Sequence, residues 1–207
     1  MAGVLKPTRG VITFDSEGVE QPGSKFHSRV FHVPTDSSGL TIGRGYDMKM
    51  KPKAQIVADL KAAGVADADA RRISGAAGLA GNAARAFVRS NGLGTFSITQ
   101  EAQVKLFDIS YRAEEAEVKR ISAKPDCVAA FGKVNWDSTH PAIRDLLVDL
   151  KFRGDYTPAS RKLVQKLLAG NDLAGLKRVM ASRANWAAVP ADRFKRRNDL
   201  LAAAQAG

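Results

Sequence analysis

The sequence has few of the residues that build disulfide frameworks and metal centres. It contains one cysteine, Cys127, so a framework of internal disulfides is excluded. Its 3 histidines are scattered along the chain, and their spacing matches no set of metal ligands. No apolar run approaches the roughly 18 residues that a transmembrane helix requires. We therefore expect no metal, no organic cofactor and no membrane span.

Acidic residues are scarce in the C-terminal part of the chain. The net charge is +11, and residues 151–197 carry +9 of it, with 12 basic and 3 acidic residues. Two interpretations of this asymmetry stay open, namely contact with an anionic polymer or surface and a solvated basic face that keeps the protein soluble. For the basic run Arg193–Arg197, which falls on one predicted helix, we expect a solvated face.

The hydrophobic pattern predicts an α+β fold that is mostly helical. The chain is long enough for one domain with a core, and 44% of its residues are hydrophobic. Residues 9–18 fit a strand or a helix by local pattern, because three β-branched residues stand at its centre. The β-prone segment Arg29–Val33 and the later run to Tyr46 predict a small antiparallel sheet over residues 29–46.

After residue 51 the pattern becomes helical. Gly64, Gly154 and Gly170 are predicted helix stops, and Ser97, Ser138 or Thr139, Thr157 and Asn171 are predicted helix caps. The predicted helices are residues 52–63, 67–73, 82–90, 98–121, 139–153, 158–169, 172–181 and 191–204.

The stretch Ser38–Asp47 carries the most specific signal in the chain. Leu40-Thr41-Ile42 is a short β-prone run that two glycines follow in alternation, Gly43 and Gly45. Glycines at that spacing let the backbone bend sharply and approach a ligand closely. The bend has a hydroxyl at one end, Thr41, and a carboxylate at the other, Asp47.

A second carboxylate lies upstream, at Glu17, between an apolar run and Gly18. An apolar environment disfavours the charged form of a carboxyl group and so raises its pKa, whereas a carboxyl group in a polar turn stays ionised. A glycosidase uses two carboxyl groups with different pKa values, one of them protonated and the other ionised.

Glu17-Gly18 followed by Ser38–Gly45 resembles the phage-type lysozymes, which carry an acid–Gly pair and then a T-I-G-x-G strand. A second carboxylate after that strand, at Asp47, is similar to the pesticin-like branch of the superfamily. The helices after residue 51 fit more loosely, through Trp136–Tyr156 and Arg193–Arg197. The resemblance implies one lysozyme-like domain over residues 1–207, with a β-containing N-terminal lobe at 9–51, a helical lobe at 52–207 and a helix that ends at Glu17.

The resemblance also implies an activity, the hydrolysis of peptidoglycan between N-acetylmuramic acid and N-acetylglucosamine by a muramidase, which we expect to be monomeric and inverting. Glu17 would be the general acid, Asp47 the base, and Thr41 would hold the attacking water. Arg44 and Tyr46 flank the site as candidate substrate-binding residues, and they either line the cleft or cover the sheet.

Two rival acids stand near these positions. Glu20 competes with Glu17 but lacks a following glycine. Asp36 competes with Asp47, because the commoner phage lysozymes keep their aspartate before the strand. Asp36 lies in a Pro-Thr-Asp-Ser-Ser-Gly turn, where an Asp side chain easily bonds its own backbone, whereas Asp47 has no comparable turn signal. We therefore prefer Asp47 as the base.

Rival functions stay open as well. A lytic transglycosylase needs an acid but no base, a wall-binding module needs neither, and the sequence pI near 10.0 also suits a nucleic-acid binder. No nucleic-acid module is recognisable, so we expect peptidoglycan and no nucleic acid as partner. The first eight residues lack the apolar core of a signal peptide. We expect synthesis in the cytoplasm and action on the wall in the periplasm, after release or dedicated secretion.

Overall fold

The computed structural model describes residues 3–24 and 27–205. It is mostly helical with one small antiparallel sheet, which confirms the α+β, mostly α prediction. Short 3₁₀ turns lie at Ser74–Ala76 and Arg183–Trp186. In chain order the elements are α1 Val11–Ser16, β1 Thr41–Ile42, β2 Tyr46–Asp47, α2 Lys53–Ala62, α3 Asp67–Ile73, α4 Gly81–Ser90, α5 Gln100–Ser122, α6 Pro125–Phe131, α7 Pro141–Arg153, α8 Pro158–Ala169, α9 Leu173–Ala181 and α10 Ala191–Ala203.

The chain divides into two compact units, residues 1–110 and residues 111–207, and the division falls within α5. The sequence instead predicted a lobe boundary between residues 51 and 52. The difference arises because the hairpin side chains Leu40, Ile42 and Tyr46 share one buried core with Ile56 and Leu60 of α2. The hairpin therefore cannot form a unit without the helices that cover it.

The sheet is a hairpin of two short strands. Thr41 pairs with Asp47 and Ile42 pairs with Tyr46, in antiparallel register. Gly43 and Gly45 have φ values of 66° and 85°, a backbone region that side-chain-bearing residues rarely adopt, so the bend depends on both glycines.

The predicted strand at Arg29–Val33 is not regular. His32 forms one antiparallel bridge with Thr41, whereas Val30 bridges to Ser97. Because the segment divides its backbone hydrogen bonds between the hairpin and the chain before α5, it cannot run along β1 as a third strand.

Several helix boundaries follow the sequence closely. α1 has Glu17 as its C-terminal cap, so the helical alternative for residues 9–18 is confirmed. α8 begins after Thr157, whose hydroxyl accepts from the Ser160 N–H in a capping box, and Gly154 ends α7 with φ 88°. The sequence missed α6, a seven-residue helix that opens with Pro125.

Three predicted caps lie one or two residues too early. The true caps are Thr99 for α5, His140 for α7 and Asp172 for α9, each accepting a hydrogen bond from a backbone N–H of the first turn. Ser138 and Thr139 instead donate their hydroxyls to the carbonyl of the preceding turn. These hydroxyls are already committed, so they cannot cap α7.

The predicted solvated face of α10 is wrong for two of its arginines. Arg193 and Arg197 are buried, and both pair with the fully buried Asp149 of α7, at 2.7 Å and 2.6 Å. Burial alone would raise the pKa of Asp149, but the two guanidinium groups outweigh burial and lower it. By contrast, Lys195 pairs with Asp199 at the surface. Arg193 and Arg197 are one helical turn apart, which turns both toward α7.

None of the helices in the described part of the chain has the length and hydrophobicity that crossing a bilayer requires.

Candidate active site

The predicted general acid lies at the end of α1. Glu17 follows the last helical residue, and its N–H donates to the carbonyl of Phe14 at 3.3 Å. Phe14 is fully buried and meets Phe107 edge to face, with ring centroids 5.1 Å apart. The Glu17 side chain is half-buried. The backbone of Glu17 therefore borders the buried Phe14, and the role of Glu17 as the general acid stays a prediction.

Arg44 connects the hairpin bend to this helix end. Its Nη1 donates to the carbonyl of Phe14 at 2.8 Å and also to the carbonyl of Gly18, and its guanidinium lies 4.3 Å from the centre of the Phe14 ring. Burial lowers the pKa of Arg44, while the negative charges of Glu20, Asp15 and Glu17 act in the opposite direction. The acid–Gly pair and the glycine bend, which are separated by 24 residues or more in the sequence, are thus bonded together in the fold.

Glu20, the rival acid, is held by three neighbours. It accepts hydrogen bonds from Gln103, from Arg29 at 2.8 Å and from Arg44 at 3.4 Å. Burial raises the pKa of Glu20, but the hydrogen bonds from Gln103 and Arg29 outweigh it, so that the pKa is lowered overall. A carboxylate kept ionised in this way is a poor proton donor, which favours Glu17 over Glu20 as the acid.

The predicted base and water-holding residue are direct partners across the hairpin. Thr41 lies opposite Asp47, and residues paired in this way point to the same side of the sheet. Asp47 accepts hydrogen bonds from the N–H of Gly39 at 3.0 Å and from the N–H of Lys49 at 2.7 Å. Thr41 is itself buried, with 3% of its surface exposed, and its hydroxyl donates to the Gly39 carbonyl at 3.3 Å.

The reason that the sequence offered for preferring Asp47 over Asp36 is wrong. Asp47, not Asp36, bonds its local backbone, while the Asp36 side chain is 88% exposed and pairs with Arg85 at 2.9 Å. Sequence pattern could not reveal this, because the Gly39 N–H reaches Asp47 only once the hairpin has closed. A carboxylate offers about four acceptor positions, so two backbone bonds leave room for a water.

Neither predicted substrate-binding side chain is available at the surface. Tyr46 is fully buried, and its hydroxyl donates to Asp59 at 2.7 Å. Burial and the bond to Asp59 raise the pKa of Tyr46 far above its ordinary value. Arg44 is 3% exposed. Of the two alternatives left open by the sequence, the structure favours the second, in which these side chains cover and anchor the sheet.

A cavity of about 610 Å³ lies elsewhere in the same unit. Its walls are the N-terminal arm, Arg29 and the start of α5, and the N–H of Leu5 donates to Gln100 there at 2.6 Å. The cavity borders the Glu20 network rather than the face that carries Thr41 and Asp47, so its volume gives no support to these residues as a site.

Comparison with known proteins identifies a matching family. The model of a family described as Domain of unknown function (DUF8812) matches residues 10–198, a range that includes Glu17, the hairpin and most of α10. No curated protein matches the chain.

Proposed function

Since the chain belongs to the DUF8812 family, whose description assigns no activity, we propose its function from the site itself. We propose that the protein is a bacteriolytic peptidoglycan hydrolase, a muramidase that cleaves between N-acetylmuramic acid and N-acetylglucosamine. One observation carries the proposal: Arg44 bonds the helix end that bears Glu17 to the hairpin on which Thr41 faces Asp47.

In this mechanism Glu17 donates its proton to the glycosidic oxygen as the bond from that oxygen to the sugar carbon breaks. Glu17 is half-buried at the end of α1, so its carboxyl group keeps some exposure to a bound glycan. General acid catalysis of this kind is worth about 10²–10⁴-fold in rate.

Asp47 accepts a proton from a water that attacks the sugar carbon from the opposite face, with Thr41 holding that water. Solvent then restores the proton to Glu17 and removes the one on Asp47. The backbone bonds from Gly39 and Lys49 fix the direction of the carboxylate. A water between acid and base requires inverting geometry, with carboxyl groups about 6.5–9.5 Å apart.

The positive charge of residues 151–197 supports a contact with the anionic bacterial surface. Lys162, Lys166 and Arg178 are exposed and present their charge to solvent, unlike Arg193 and Arg197. Charge of this kind attracts a polyanion over a distance and raises the rate of encounter.

The test is the release of reducing ends from purified peptidoglycan by the wild type and by Glu17→Gln. We expect release by the wild type and its loss in the variant, with unchanged circular dichroism. Product mass distinguishes the rival enzyme, since a lytic transglycosylase leaves an anhydro-sugar end one water lighter than a hydrolysed end. Binding to peptidoglycan without any release would instead indicate a wall-binding module.

A further inference from the structure

His32 belongs to the same row of side chains as Thr41 and Asp47. Its N–H donates to the Thr41 carbonyl at 3.0 Å, and the Thr41 N–H donates to the His32 carbonyl at 2.9 Å, so the two residues form an antiparallel bridge. Thr41 pairs with Asp47 on its other side. Residues directly opposite one another in such ladders point to the same face. The three side chains therefore form one lateral row with Thr41 in the middle.

Charge and burial around His32 agree with this placement. Its imidazole is half-buried, and burial lowers its pKa, while the carbonyl of Val30 and the negative charge of Asp47 act to raise it. Burial dominates, so the ring is neutral at neutral pH. Among the charged groups of the described residues, Asp47 on β2 acts on the His32 ring.

The contact with Val30 also favours one tautomer. Nδ1 of His32 lies 3.3 Å from the Val30 carbonyl oxygen, which can only accept a hydrogen bond. A proton on Nδ1 satisfies that oxygen and leaves the lone pair on Nε2. The neutral ring then offers a hydrogen-bond acceptor on the face that carries Asp47.

We propose that His32 is a third residue that binds the attacking water, with Nε2 accepting one hydrogen bond from it while Asp47 takes its other proton. This inference rests on the function proposed above. A water that attacks with a lone pair has two hydrogens to direct, and two acceptors fix its orientation. To hold the same water, the Thr41 hydroxyl turns away from the Gly39 carbonyl, 3.3 Å distant, and donates to the second lone pair of the water oxygen, so that both hydrogens of the water stay available for Asp47 and His32.

The kinetic test compares His32→Phe, which keeps a flat ring without an acceptor, with His32→Gln, whose amide oxygen still accepts. We expect His32→Phe to lower kcat about 10²-fold with KM changed less than about twofold. Loss of the acceptor misaligns the attacking water but leaves the binding of the substrate unchanged. His32→Gln should recover part of the loss. His27→Phe, at another histidine of the same unit, is the control and should keep wild-type kcat.

The pH profile separates this role from a structural one. Wild-type activity should fall as pH drops through the lowered pKa of His32, because an imidazolium cannot accept a hydrogen bond. His32→Gln should lack this step. Retention of more than half of kcat by folded His32→Phe overturns the proposal, even where the wild type is shown to be a muramidase.

A second measurement does not depend on catalysis. NMR titration of His32 should give a pKa below the ordinary histidine value in the wild type, and a lower one still in Asp47→Asn, because the carboxylate charge no longer favours the imidazolium. If the pKa of His32 is unchanged in Asp47→Asn, the two side chains do not lie on the same face, and the proposal is wrong. A wild type that releases no reducing ends contradicts the proposed function, and with it the role of His32, whatever the titration shows.

Discussion

The guanidinium of Arg44 donates a hydrogen bond to the carbonyl oxygen of Gly18, so the tip of the hairpin is bonded to the residue that follows Glu17. The same guanidinium donates to the Phe14 carbonyl and packs on the Phe14 ring. One buried side chain therefore decides where the helix end and the glycine bend stand relative to each other.

We predict that Arg44→Lys lowers both stability and activity. An ammonium group cannot reproduce the planar fork that reaches two carbonyls and Glu20 at once. Hydrogen bonds of charged groups contribute about 1.5–3 kcal/mol each, so a loss of that order in the free energy of unfolding is expected from denaturant titration. Arg85→Lys, at an exposed ion pair with Asp36, is the control and should cost less than about 1 kcal/mol.

Glu17 and Glu20 should respond differently to the same substitution. Glu17→Gln should reduce reducing-end release by about 10²–10⁴-fold while the denaturation midpoint stays unchanged. Glu20→Gln should lower the midpoint, because Arg29 and Arg44 lose their carboxylate, and the folded variant should stay active. If Glu17→Gln keeps more than a tenth of the wild-type activity, another residue is the general acid.

Stability should also respond to pH through Glu20. Its pKa is lower in the folded than in the unfolded protein, so its contribution is complete above the unfolded pKa and disappears as pH falls through the folded value. The free energy of unfolding should therefore decrease below about pH 4.5 more steeply in the wild type than in Glu20→Gln.

Gly39→Ala should displace Asp47. A Cβ at this position would stand 2.2 Å from Asp47 Oδ1 and 2.7 Å from the Lys49 backbone nitrogen, closer than any real contact allows. The carboxylate must then leave its two backbone donors, and we expect activity to fall by about 10²-fold. Gly94→Ala, where a Cβ meets nothing within 4 Å, is the matched control. Equal activity of the two variants would show that the direction of Asp47 has no part in the reaction.

Asp149 should be the most sensitive position of residues 111–207. Asp149→Asn removes the carboxylate that the buried Arg193 and Arg197 share, while Arg197 keeps its ion pair with Asp155 at 2.8 Å, and loss of one partner of a buried pair costs about 3–5 kcal/mol. Asp199→Asn, at the exposed pair with Lys195, should cost about 0.2–1 kcal/mol. Urea titration of both variants checks the difference, and similar losses would contradict a buried ionic cluster.

The exposed basic residues of the segment 151–197 should affect the rate of lysis of whole cells but not the rate of bond cleavage. Reversal of Lys162, Lys166 and Arg178 to Glu should slow lysis of cells and weaken its dependence on salt, since screening acts over about 8 Å at physiological ionic strength. Cleavage of a short soluble oligosaccharide should stay at the wild-type rate. Equal losses on both substrates would mean that these side chains shape the site instead.

The sequence by itself determined the features that depend on neighbours along the chain. The bend at Gly43 and Gly45 follows from backbone freedom, and the cap at Thr157 follows from a hydroxyl placed three residues before its donor. The register that sets Thr41 opposite Asp47 follows from the length of that bend. Each signal lies within a few residues of the structure that it specifies.

Only the tertiary structure decided which charged groups are buried and what they bond. The sequence pattern indicated that Arg44 and Tyr46 alternate with glycines. It did not indicate that Arg44 bonds to α1 or that the Tyr46 hydroxyl bonds to Asp59. Arg197 resembles its less buried neighbour Arg196 in sequence, and its burial depends on Asp149, 48 residues away. A charge can leave water only where a partner replaces the lost solvation, and packing of distant segments supplies that partner.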